Sequence, residues 1–146
     1  MSLIDKSEHI RKFLIATHGD FSAGVKSSLD MIIGVMENVF IIRAYVDDNE
    51  SIEHEVKAVL DDLSDTDELI IFCDILGGSV TNQVLMHALK PNVHIISGFN
   101  LPLLIEVMLA GTDTAIEQVI SESIDNAKEQ IVYVNKFLTA KQRKRQ

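Results

Sequence analysis

The chain has 146 residues, 47% hydrophobic and 24% charged, enough for one globular domain with a sizeable core. Thirteen basic residues against 22 acidic ones give a formal net charge of −9, which argues against a nucleic-acid footprint. No apolar run approaches the roughly 18 residues of a membrane-spanning helix, and the opening MSLIDKSEHIRK has neither a signal-length apolar stretch nor a cleavage-like site, so a cytoplasmic protein is expected.

Residues 1–12 read as an N-terminal extension. The pattern after them alternates between short apolar, β-branched runs and segments with apolar residues three and four apart. FLIAT (13–17) predicts a buried strand, and AGVKSSLDMIIGVM (23–36) a helix. VFIIRAYV (39–46) predicts the second strand, followed by a helix over SIEHEVKAVLDDL (51–63). ELIIFCD (68–74) and NVHIISG (92–98) predict the third and fourth strands, with VTNQVLMHALK (80–90) as the helix between them. Two consecutive helices follow, LPLLIEVMLAG (101–111) and TAIEQVISESIDNAKEQ (114–130), separated by Gly111 as a stop and Thr112-Asp113 as a cap. IVYVNKF (131–137) then alternates like a strand, and residues 138–146 form a tail carrying Lys141, Arg143, Lys144 and Arg145.

Strand-helix alternation predicts an α/β fold: an open, mainly parallel sheet with helices on both faces, in a single domain over residues 13–137. The last strand arrives directly from a helix without a crossover, so it is expected at an edge, running antiparallel. Cys73 is the only cysteine, which excludes an internal disulfide, and its place in LIIFCD predicts a thiol packed as a small hydrophobe.

Ligands of an open parallel sheet bind beyond the carboxyl ends of its strands. His18 stands just past the first strand, in ATHGD. At the equivalent end of the third strand, DILGGSVTNQ (74–83) leaves through Asp74, turns on Gly77-Gly78 and starts a helix near Ser79. Glycines permit close backbone approach, Ser79 is a favoured N-cap, and a helix start offers N–H groups to an anion. Each piece alone has a plainer reading: His18 as a surface residue, Asp74 as a turn cap, Gly77-Gly78-Ser79 as an ordinary helix start. Their convergence on one rim reads as imidazole, carboxylate and oxyanion cradle.

Metal binding would want ligands at short spacing, whereas His9, His54, His87 and His94 are scattered over a tail, two helices and a strand. No metal and no cofactor are expected. GGSVT lacks the second glycine of a nucleophile elbow, which argues against serine hydrolysis. A histidine that carries phosphate needs one ring nitrogen free, the other held by an acceptor, and donors around the arriving oxygens. This set supplies all three.

THGDFSAGVKSSLDMIIG, FCDILGGSVTNQ and SGFNLPLLIEVML together resemble the enzyme IIA component of the mannose-type (mannose/fructose/sorbose) sugar phosphotransferase system, in order over nearly the whole chain. The resemblance implies a phosphocarrier that accepts a phosphoryl group on His18 from phospho-HPr and passes it to a IIB component, with the membrane components IIC and IID engaged indirectly. It implies that His18 is phosphorylated on Nε2, that Asp74 holds the other ring nitrogen, and that Gly77, Gly78 and Ser79 form the phosphate-binding loop. It also implies a homodimer in which the last strand is exchanged between subunits. Two departures lie beside the site: Val80-Thr81 where members of the family commonly have Pro-Phe, and Leu76 where many have Trp. The alternatives are the phosphoryl-donor subunit of a dihydroxyacetone kinase and a non-enzymatic module that binds an anion or a partner.

Overall fold

The computed structural model describes residues 10–46 and 51–145; His9, most of the predicted extension and Gln146 lie outside them. Four strands form a parallel sheet: β1 (Arg11–His18), β2 (Val39–Ala44), β3 (Glu68–Cys73) and β4 (Val93–Ser97), in the order β2-β1-β3-β4. The connecting helices are α1 (Phe21–Ile33), α2 (Glu53–Asp61) and α3 (Ser79–Ala88). Every predicted strand and helix up to this point is present, with ends shifted by at most three residues. The largest such difference is that α1 ends at Ile33, where Gly34 has a φ of 85°; β1 starts at Arg11, inside the predicted extension.

Strand residues alternate between two faces. Leu14, Ala16, Ile42, Ala44, Leu69, Ile71 and Cys73 form one buried cluster with Val56 and Leu60 of α2 and Val80, Val84 and Ala88 of α3. Phe13, Ile15, Ile70 and Phe72 point the other way and are also buried. There Ser22 of α1 accepts Thr17 as its anchor: its backbone N–H donates to Thr17 Oγ1 at 2.8 Å, while its hydroxyl donates to the Ile42 carbonyl at 2.9 Å. Burial on both faces explains the near-continuous apolar runs of β1 and β3, since each fully buried Leu, Ile or Phe contributes about 1.5–3 kcal/mol relative to exposure.

The chain departs from β1 in one direction, through α1 to β2, and from β3 in the other, through α3 to β4. The carboxyl ends of β1 and β3 therefore flank the switch point of the sheet, where the connections diverge and ligands of such sheets bind. Residues up to Leu101 form one compact unit and those from Pro102 a second.

The second unit contains α4 (Leu101–Leu109) apart from its first residue, α5 (Ile116–Glu129) and α6 (Val134–Arg145). Ala115 occupies the N-cap of α5, so the predicted Thr112-Asp113 cap is not used. Helix α5 buries Ile116, Val119, Ser123 and Ala127 along one stripe, and Asn126 donates to Glu106 of α4 at 2.8 Å.

The predicted C-terminal edge strand over 131–137 is not formed. Residues from Val134 onward are helical instead, and residues 131–133 belong to no strand. A strand needs a neighbour for its backbone groups, whereas a helix satisfies them internally. Leu138, Ala140, Lys141, Gln142, Arg143 and Lys144 are good helix formers with no glycine or proline among them. That run outweighs the short alternation of IVYV.

Candidate active site

The site is built on three adjacent strand ends. His18 is the last residue of β1, and Asp74 follows the last residue of β3. Parallel pairing sets Ala16 beside Cys73, which leaves His18 and Asp74 emerging side by side. One carboxylate oxygen, Asp74 Oδ2, accepts two hydrogen bonds from the same residue: the His18 backbone N–H at 2.9 Å and the ring Nδ1–H at 2.8 Å. The two bonds fix both where the imidazole sits and which nitrogen carries its proton. A carboxylate only accepts, so Nδ1 carries a proton, and in the neutral ring it is Nε2 that keeps the lone pair. The His18 side chain is 40% exposed and that of Asp74 only 9%, so the carboxylate is the buried anchor of an accessible ring.

Burial by itself would raise the Asp74 pKa. The hydrogen bonds from the His18 backbone N–H and ring N–H, together with the attraction of the ring in its protonated form, outweigh it, and the carboxyl is held below its ordinary value. Asp74 is therefore ionised at neutral pH.

The loop from Asp74 to Ser79 closes against the ring. Gly77 has a φ of 77°, a left-handed conformation that glycine adopts without the Cβ penalty. Gly78 lies so close that a Cβ there would meet the Ile75 carbonyl oxygen at 3.3 Å and His18 Cε1 at 3.5 Å. Thr81 holds the loop from inside the helix, its hydroxyl donating to the Ile75 carbonyl at 2.7 Å. Gly78 rather than Ser79 occupies the N-cap of α3, and no side chain caps it. The Ser79 hydroxyl is instead turned to the site, 3.3 Å from His18 Nε2. The first N–H groups of α3 have no intrahelical acceptor by helix geometry, and the positive end of the dipole faces the same side.

The structure thus brings His18, Asp74, Gly78 and Ser79 together, with Gly77 shaping the turn. Sequence reasoning missed three contributors. Thr81 anchors the loop as described. Tyr45, one residue past β2, shares a hydrogen bond of 2.8 Å with Ser79 Oγ and packs its ring 5.8 Å from that of His18. Gln83 donates to Tyr45 Oη at 2.7 Å. The signal for both was present: Tyr45 ends a strand at the ligand-binding rim, and Gln83 is four residues after Ser79, on the same helix face.

Exposed apolar residues surround this rim. Ile75 and Leu76 project from the loop, and Phe21 stacks on Phe99 with ring centroids 5.6 Å apart. Behind the site Cys73 is fully buried, and burial pushes its thiol up to about 11, too high for a reactive thiolate near neutral pH.

A family model described as the fructose IIA component of the phosphotransferase system, EIIA-man, matches residues 12–124. The mannose-specific EIIAB component of Escherichia coli K12 is 26% identical over 119 residues, covering 80% of this chain and 37% of that protein. The chain thus spans little more than a third of the curated relatives it matches. A crystal structure from Klebsiella pneumoniae, described as a phosphoenolpyruvate-dependent sugar phosphotransferase system permease, is 33% identical with a TM-score of 0.82, covering 88% of this chain and 94% of that one. The IIA protein associated with the fucose utilization operon of Streptococcus pneumoniae is 28% identical with a TM-score of 0.75, covering 90% and 98%. These matches favour the phosphotransferase reading over the kinase-subunit and binding-module alternatives. The chain belongs to the mannose-type IIA family of the sugar phosphotransferase system.

Proposed function

We propose that this chain is a phosphocarrier that takes a phosphoryl group from phospho-HPr onto His18 and delivers it to a IIB component, and through it to sugar uptake by membrane components IIC and IID. The observation that carries this reading is the pairing of Asp74 Oδ2 with Nδ1–H, which leaves Nε2 unprotonated and directed toward Ser79 at the switch point of the sheet. In the forward step the Nε2 lone pair attacks phosphorus, and the P–N bond to the donor histidine breaks. The donor imidazole takes back the bonding pair. Positive charge appears on the His18 ring, where the Asp74 carboxylate offsets it. Ser79, Gly77, Gly78 and the first N–H groups of α3 supply donors to the phosphoryl oxygens. Nothing is oxidised or reduced and no cofactor is called for. The reverse of this step, with IIB as acceptor, regenerates the free imidazole.

Two accompanying features belong to the same reading. Work between HPr and IIB puts the chain in the cytoplasm; no described helix is long and apolar enough to cross a membrane. A homodimer is supported by the apolar side chains that a single chain leaves exposed at Ile131, Tyr133, Val134, Phe137 and Leu138.

The experiment is incubation with enzyme I, HPr and phosphoenolpyruvate. One acid-labile phosphoryl mass is expected on wild type and none on a folded His18→Ala protein. Labelling that persists in His18→Ala and disappears in His87→Ala or His94→Ala would overturn the assignment.

A further inference from the structure

Tyr45 has a φ of 66°, and no other non-glycine residue among those described has a positive value. Such a conformation is strained for a bulky side chain and persists where surrounding contacts hold it. The contacts here have a defined direction. Gln83 Oε1 accepts the Ile52 backbone N–H at 2.9 Å, and a backbone N–H can only donate, so the orientation of the amide is settled. Its NH₂ group must then be the donor to Tyr45 Oη. The Tyr45 proton is free to point along its remaining contact, to Ser79 Oγ at 2.8 Å. With that lone pair engaged, the Ser79 hydroxyl directs its own proton to His18 Nε2. The far side of the ring donates to Asp74.

We infer that Tyr45 and Gln83 are positioning residues that act on His18 through Ser79, completing a one-way hydrogen-bond chain from Gln83 through Tyr45, Ser79 and His18 to Asp74. Both ends of the chain favour the same tautomer. The carboxylate takes the proton on Nδ1, and the serine presents a donor where a proton on Nε2 would be repelled. When a phosphoryl group occupies the space beside Nε2, the Ser79 hydroxyl turns its proton to a phosphoryl oxygen. Tyr45 keeps it polarised and aimed. The strained backbone at Tyr45 is what places its hydroxyl over the start of α3.

This inference rests on the phosphocarrier reading for its kinetic consequence but not for its resting-state one. In the unphosphorylated protein, the ¹⁵N resonance of His18 Nε2 should shift when Tyr45→Phe removes the donor to Ser79. Gln83→Glu should produce the same shift. It preserves shape and still accepts the Ile52 N–H, yet its second oxygen attracts the Tyr45 proton away from Ser79. A purely structural role would tolerate that replacement. In single-turnover transfer from phospho-HPr, each variant should be slower by about three- to tenfold, the worth of one neutral hydrogen bond. In a Ser79→Ala background Tyr45→Phe should cost nothing further. An unshifted Nε2 resonance in both variants, or a Tyr45→Phe slowing that persists in full without Ser79, would overturn the inference. A wild-type protein that takes no phosphoryl group on His18 would instead defeat the phosphocarrier reading and leave the resonance test standing.

Discussion

Replacing Asp74 by asparagine separates shape from charge at the heart of the site. Asp74 Oδ2 lies 2.8 Å from His18 Nδ1. At an effective dielectric of about 20, suited to a ring partly open to solvent, unit charges at that distance interact by about 6 kcal/mol. A transition state with roughly half a positive charge on the ring would draw about 3 kcal/mol from the carboxylate, or about 10² in rate. Hydrogen bonding adds to the loss. Asparagine can present its oxygen to the two His18 donors only by placing its NH₂ where Asp74 Oδ1 is buried without a hydrogen-bond partner among the described residues. The flipped amide sets NH₂ against the His18 backbone N–H and favours the ring tautomer with its proton on Nε2. Asp74→Asn should therefore stay folded and accept phosphate at least about 10² times more slowly in single-turnover transfer from phospho-HPr. Ser79→Ala should lose about tenfold or less, because backbone donors at the start of α3 remain. An Asp74→Asn protein as fast as wild type would reduce this carboxylate to a turn cap and refute the reasoning.

The depressed Asp74 pKa also stabilises the fold above the ordinary carboxylate range, near pH 4, and that contribution is lost as pH falls through the folded-state value. The stability gap between wild type and Asp74→Asn in urea unfolding should accordingly narrow in acid; a gap that widened below pH 4 would contradict the sign. Cys73, buried and with its thiol near 11, should resist thiol reagents at pH 8 in the native protein and react once unfolded; fast native labelling would show the strand end to be open. Deleting residues from Ile131 onward should leave the four-stranded sheet folded but convert a dimer to a monomer in sedimentation, whereas a full-length protein that is already monomeric at high concentration would remove the basis for pairing.

The sheet was legible because burial on both faces imprints continuous apolar runs, and because Gly77-Gly78 marks the turn after β3; Gly34, which ends α1, lay unread inside the predicted helix. His18 and Asp74 could be paired before any coordinates, since both end strands at the ligand-binding rim. The order β2-β1-β3-β4, which makes them neighbours, is a tertiary property that no local pattern encodes. Tyr45 was hidden by its resemblance to a strand residue: VFIIRAYV reads as continuous β structure, yet the chain turns into positive φ at that position. The C-terminal segment misled for a related reason. Its apolar alternation is a local signal for a strand, but a strand forms only where a sheet edge receives it, and the helix-forming residues after it prevailed.

The central claim is that His18 carries the phosphoryl group on the nitrogen turned away from Asp74. Nuclear magnetic resonance of ¹⁵N-histidine-labelled protein, phosphorylated through enzyme I and HPr, tests it directly by locating the N–P bond. The account predicts one phosphohistidine, at His18, with phosphorus coupled to Nε2 and the proton retained on Nδ1. Phosphorus on Nδ1, or on any other residue, would contradict it.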